Sequence, residues 1–210
     1  MKALGVLLIA FAAVAFCGAQ TINFDSAVVG STPAGWTVAM THKGGAPRWE
    51  VLKDDSAPSQ PNVFAQVSTD ATGGRFPLAV YDKANLNDGS LSVKFKAISG
   101  AADQAAGLVW RYRDPENYYI VRANALEDNY RLYHVVAGNR RQFAGANFKV
   151  TPGEWHELRV ECVGNKIICY YDGAKKIEAT DDTFKDAGKV GLWTKADSVT
   201  YFDDLRVTAK

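Results

Sequence analysis

The chain is predicted to be all-β, a sandwich of two antiparallel sheets, and three observations predict it. No segment beyond the first nineteen residues sustains a helical apolar period. Short runs instead alternate apolar and polar side chains, as in Ser90–Ile98, where Leu91, Val93 and Phe95 point one way and Ser92, Lys94 and Lys96 the other. Turn residues interrupt these runs about every eight to twelve positions: Asn87-Asp88-Gly89, Asp114-Pro115, Gly164-Asn165 and Asp172-Gly173.

The N-terminus reads as a secretory signal, residues 1–19. Lys2 supplies the positive start, Leu4 to Phe16 the apolar stretch and Cys17-Gly18-Ala19 a small-residue cleavage site. That apolar stretch is short of the roughly 20 residues a membrane span needs. Cleavage near Ala19 leaves residues 20–210 as one secreted or periplasmic domain with no membrane span. The chain carries 24 Lys and Arg against 23 Asp and Glu, and cleavage removes Lys2, so the mature charge is balanced. No basic field is present to draw in nucleic acid.

The next stretch is irregular, broken by Pro33, Pro47, Pro58, Pro61 and Pro77. The most informative segment follows, Ala106–Val136, read as three consecutive strands. Counting outward from the Asp114–Asn117 turn sets Arg113 opposite Tyr118, Tyr112 opposite Tyr119, Arg111 opposite Ile120 and Trp110 opposite Val121. One face then holds Leu108, Trp110, Tyr112, Tyr119 and Val121. The other holds Val109, Arg111, Arg113, Tyr118, Ile120 and Arg122, joined across the next loop by Arg131, Tyr133 and Val135. Rings that stack and guanidinium groups that donate suit a solvated surface for sugars. The expected ligand-binding set is Arg111, Tyr118, Arg122, Arg131 and Tyr133, with Asn124, Glu127 and Asp128 on the rim. Oligosaccharide or polysaccharide is the expected partner.

In Trp155–Gly173, Leu158, Val160 and Cys162 face inward, and Gly164-Asn165 closes a two-residue hairpin. That register places Cys162 opposite Ile167 and Cys169 opposite Val160, a diagonal pair about 7–8 Å apart and beyond easy disulfide reach. Two buried free thiols are expected, unless a bulge shifts the register. The closing strand, Val199–Val207, puts Asp203 in phase with Leu205 and Val207, and Asp204 in phase with Phe202. A bulge, or a carboxylate against the core, must resolve that conflict. Structural calcium held by Asp203 and Asp204, with Asp25 from the opening strand, is one expectation; a hydrogen-bonded anchor without an ion is the other.

Catalytic signatures are sparse. There is no Gly-x-Ser-x-Gly elbow, P-loop or dinucleotide fingerprint, and no Cys-x-x-Cys for zinc. His134 reads as a core-edge residue and His156 as a cap on a backbone carbonyl. Among the carboxylates, Glu127 is the candidate general base, because its loop borders the Arg/Tyr face. Trp36, Trp49, Trp155 and Trp193 read mostly as core, with Trp49 a candidate sugar platform. Lys195 and Asp197, following Trp193, could reach a loop-lined cleft.

Four segments, NFDSAVVGSTPAGW, AGLVWRYRDPENYYIVRANALEDNYRLY, WHELRVECVGNKIICYYDG and VGLWTKADSVTYFDDLRV, together resemble secreted bacterial concanavalin A-like/laminin G-like jelly rolls. Among these the chain is most similar to the 3-keto-disaccharide hydrolase domain, often labelled glycoside hydrolase family 16-like. The resemblance implies two curved antiparallel sheets with ligand on the concave face or rim. It also implies a hydrolase of a disaccharide or related sugar derivative as the alternative to a binding module. The chain departs from family 16 glucanases in lacking their Glu-x-Asp-x-x-Glu strand motif.

Overall fold

The computed structural model describes residues 18–210; the expected signal segment, apart from its last two residues, lies outside the described residues. Among these residues there is no helix, and fifteen strands form two antiparallel sheets. In chain order they are β1 (Ala19–Ile22), β2 (Trp36–Thr41), β3 (Trp49–Lys53), β4 (Asn62–Gln66), β5 (Phe76–Leu86), β6 (Gly89–Ser99), β7 (Ala105–Asp114) and β8 (Asn117–Asn124). They continue as β9 (Asn129–Val136), β10 (Asn139–Asn147), β11 (Trp155–Val163), β12 (Lys166–Tyr171), β13 (Ala174–Thr180), β14 (Gly188–Trp193) and β15 (Val199–Ala209). One sheet runs β13-β12-β11-β6-β15-β4-β3, with β1 added on β15; the other runs β10-β9-β8-β7-β14-β5-β2. Sequence neighbours often lie in different sheets, the crossing pattern of a jelly roll.

The main core fills the space between the sheets, because each strand's alternation sends one set of side chains inward. Leu91, Val93 and Phe95 of β6 meet Leu108, Trp110, Tyr119, Val121 and Leu132 of the facing sheet. Each such side chain stabilises the fold by about 1.5–3 kcal/mol when fully buried. Trp49 is 3% exposed, packed on Phe64 and Phe202, and is therefore core rather than a sugar platform.

The β11–β12 register is as the sequence implied: Cys162 pairs with Ile167 and Cys169 with Val160, and both thiols are buried and unbridged. The conflict in β15 is resolved by a bulge between Asp203 and Arg206, with Asp204 in the left-handed region at φ 49°. The extra residue lets Phe202, Leu205 and Val207 all reach the core while Asp203 points to the opposite face. There its carboxylate accepts bonds from the Ser59 amide (2.8 Å), the Ser59 hydroxyl (3.0 Å) and the Asp204 amide (2.8 Å). Asp25, Asp203 and Asp204 do not come together; among the described residues no three His, Cys, Asp or Glu side chains form a metal-holding cluster.

The β7–β8 register departs from expectation. Trp110 pairs with Tyr119, Val109 with Ile120 and Gly107 with Arg122, while a bulge separates Trp110 from Asp114. The count from the turn assumed an unbroken ladder, and the bulge shifts it by two residues. Arg111 takes up the distortion at φ 47°. Its side chain leaves the Arg/Tyr face, and Tyr112 swings onto that face to stack on Tyr118 with ring centroids 6.0 Å apart. The β8–β9 pairing brings Arg131, Tyr133 and Val135 onto the Arg122 face as expected, with Arg122 opposite Arg131, Ile120 opposite Tyr133 and Tyr118 opposite Val135.

Candidate functional site

The face carrying Arg122 and Tyr133 is the concave one. Strands β8 and β2 are four steps apart in their sheet, about 19 Å at the usual strand spacing. Yet the Tyr118 hydroxyl lies 2.7 Å from the Thr41 hydroxyl, which also donates to the Pro115 carbonyl. The sheet therefore twists and coils until two diagonal corners touch. Beneath that seam the face is dry. Leu78, Val80, Val109, Tyr118, Ile120, Val135, Phe76 and Trp193 form a second hydrophobic cluster, not a solvated surface. Fully buried Arg75 ties down two neighbouring loops by donating to the carbonyls of Gly45 (2.7 Å), Ala46 (3.2 Å) and Ala196 (2.7 Å).

Polar chemistry gathers at one mouth of this face. Arg122, 5% exposed in its side chain, donates to Glu127 Oε2 (2.9 Å), to the Tyr133 hydroxyl (3.1 Å) and to Asn129 Oδ1. Asn129 in turn donates to Glu127 Oε2 (3.0 Å). Glu127 is thus fixed at the rim with 44% of its side chain exposed. Partial desolvation pushes its pKa up, but the bonds from Asn129 and Arg122 prevail, and the carboxyl is held below its ordinary range. Next to it, buried Asp103 pairs with Lys195 and accepts from Asn124 Nδ2 (2.8 Å). Burial raises the Asp103 pKa despite the Lys195 ammonium. Asp197 holds the loop before β7 in place by accepting from the amides of Ala101, Ala102 and Asp103.

Over the aromatic floor lies a residue the sequence reading missed. The Arg140 guanidinium stands 4.5 Å from the Tyr133 ring centroid, 4.6 Å from Phe76 and 5.5 Å from Trp193. The register places it there: Arg140 pairs with Val135 across the Ala137-Gly138 turn and so shares the phase of Tyr133. Extending the strand count through that turn would have found it. The contact with Phe76 would not have been found, because five strand steps separate β10 from β5.

The other expected residues are placed differently. Arg111 is buried and donates to the carbonyls of Phe184 (2.6 Å), Gly164 (2.8 Å) and Asn87 (3.0 Å), beside a cavity of about 200 Å³ away from the concave mouth. Tyr118 is sealed under the seam, where burial raises its pKa to about 12. Asn124 is buried as a turn anchor, accepting from the Leu126 amide. Asp128, at φ 48°, turns to the amide of Val150 and to Lys149. Arg131 braces β9 against β10 through the Ala146 carbonyl and Asn147 Oδ1. Arg122, Glu127 and Tyr133, with Asn124 on the adjoining Asp103, are the expected residues that the fold brings together. A separate open cleft of about 980 Å³, lined by Met40, His42, Lys43, Asp114 and Glu116 among others, lies beside the seam and contains none of the expected residues.

His134 lies at the core edge, 3.3 Å from Asp181 Oδ2, and His156 contacts the Thr151 carbonyl at 3.1 Å and Asp172 Oδ2 at 2.7 Å. Neither faces the concave mouth.

Similar structures share this architecture. A carbohydrate-binding module, CBM66 from Bacillus subtilis, is 18% identical with a TM-score of 0.66, over 82% of this chain and 95% of that one. The Crh5 transglycosylase in its apo form is 14% identical at a TM-score of 0.60, over 91% and 84%. A Bacillus licheniformis beta-glucanase is 14% identical at 0.56, over 92% and 99%. These likenesses establish a concanavalin A-like jelly roll. No curated protein matches the chain in sequence. Residues 22–208, nearly the whole of the described sandwich, match a family model, and the chain belongs to the 3-keto-alpha-glucoside-1,2-lyase-like domain family.

Proposed function

We propose that the protein binds a saccharide at the concave mouth, between the Arg122–Glu127–Asn129 network and the Tyr133 ring. The observation that carries this reading is the fixing of Glu127. A half-exposed carboxylate held by a buried guanidinium and an amide offers acceptors in set positions, beside donors on Lys195 and Arg140. Preorganised polar groups next to rings are what sugar hydroxyls and C–H faces require. A chain of carbohydrate-binding fold, related to a saccharide-binding module and to enzymes acting on glycans, fits that chemistry. Arg122→Ala should weaken saccharide binding at least about tenfold, the loss of one charge-assisted hydrogen bond, while the domain remains folded. Calorimetry on a panel of disaccharides tests this, and unchanged affinity in a folded variant would remove the site.

A second reading is favoured by the exposure of Glu127, 44% of whose side chain is open at the rim. An ionised carboxylate at an open rim can act as a general base on a disaccharide or related sugar derivative. Glu127→Gln should then abolish turnover with binding retained. Full activity in that variant would exclude the residue.

A further inference from the structure

The charges at the concave mouth do not balance. Arg122 is paired with Glu127, and Asp103 with Lys195. Arg140 has no carboxylate within ion-pair distance among the described residues, although it is half-buried and packed against three rings. Its Nη1 is buried without a hydrogen-bond partner, and so is Nε of neighbouring Arg122. Orphaned donors of this kind are uncommon in folded proteins, because each forfeits a bond that water would have made. Two guanidinium groups side by side also repel each other. Desolvation lowers the Arg140 pKa first, and the nearby Arg122 charge lowers it further. The aromatic clamp holds the Arg140 guanidinium in place without neutralising it.

We infer that the Arg140 guanidinium, clamped by Phe76, Tyr133 and Trp193 beside Arg122, is the counterion site for an anionic sugar, and that the ligand bears a carboxylate, as a hexuronate does. This inference rests on the saccharide-binding reading above and adds its charge class. A planar carboxylate matches the planar fork of a guanidinium, and bidentate pairing satisfies the free N–H.

The test is calorimetry of the protein with three disaccharides alike except at C6 of the terminal sugar: a glucuronate, the neutral glucose form and its 6-sulfate. The glucuronate is expected to bind at least about tenfold tighter than the neutral sugar, with a preference that shrinks as salt rises from about 50 to 500 mM. Arg140→Gln should erase the preference, and Arg140→Lys should restore part of it. Equal affinity for the neutral and acidic forms, with binding still lost in Arg122→Ala, would overturn the anionic assignment and leave the saccharide site standing. Tighter binding of the sulfate than of the glucuronate would overturn the carboxylate. Absence of binding by all three would overturn both readings. The salt dependence is read on the unmodified protein, so the inference stays testable if Arg140→Gln fails to fold.

Discussion

Arg111 and Arg122 stand on neighbouring strands with the same side chain, yet the fold gives them opposite employment. Arg111 is spent on backbone carbonyls, joining Asn87, Gly164 and Phe184 across three chain segments, and its one carboxylate neighbour is Asp88 at 3.5 Å. Arg111→Met leaves those acceptors without their donor and should cost about 3 kcal/mol in stability. Saccharide affinity should not change. Urea unfolding beside calorimetry checks both, and an unchanged unfolding midpoint would contradict the structural role. Asp203 makes a pH-dependent counterpart. Burial raises its pKa from 3.8 to about 6 in spite of three donors. The folded state therefore holds the Asp203 proton more tightly than the unfolded chain does. Its contribution to stability is greatest below pH 3.8, falls as pH rises through that window, and is lost above about 6, with a slope of up to about 1.4 kcal/mol per pH unit. Comparing urea midpoints between pH 3.5 and 7 for the protein and for Asp203→Asn should show this fall in the first and not in the second.

At the scale of elements, faces were legible in the sequence and bulges were not. Alternation alone set Arg122, Arg131 and Tyr133 on one side of β8 and β9, and Gly164-Asn165 set the cysteine register. The two extra residues of β7 left no mark, because a bulge is chosen by the strand lying alongside. Gly188 on β14 is that partner: a Cβ there would lie 2.5 Å from the Arg111 carbonyl carbon and 2.7 Å from the Tyr112 amide. Gly188→Ala must push the two strands apart and should cost about 2 kcal/mol or more, measured by thermal unfolding. The turn that aims Arg140 is strained in the opposite sense. Ala137 sits at φ 47° and Gly138 at φ 77°, a pair of left-handed residues suited to Asn-Gly. Ala137→Asn should raise stability by about 0.5–1 kcal/mol without moving Arg140, and a lowered melting temperature would refute the turn assignment.

For the molecule as a whole, the sandwich architecture followed from local patterning, whereas the candidate site depended on curvature. Asp103, Lys195 and Arg140 come from separate strands and loops, and their meeting is set by the twist summed over a seven-strand sheet, which no local window records. The two thiols report on the integrity of the same assembly. Both are buried, and burial raises the Cys162 pKa to about 11. A thiol reagent at pH 8 should modify neither in the folded protein and both in denaturant; rapid labelling under native conditions would show the sheets opening. The touching corners at Thr41 and Tyr118 carry a further consequence. An open jelly-roll groove lets a polymer lie along its length, but here the middle of the groove is occupied by the protein's own rings. A glycan chain cannot run through the seam, so the proposed saccharide would enter the mouth by an end: a terminal sugar or a short fragment, counted in one or two units.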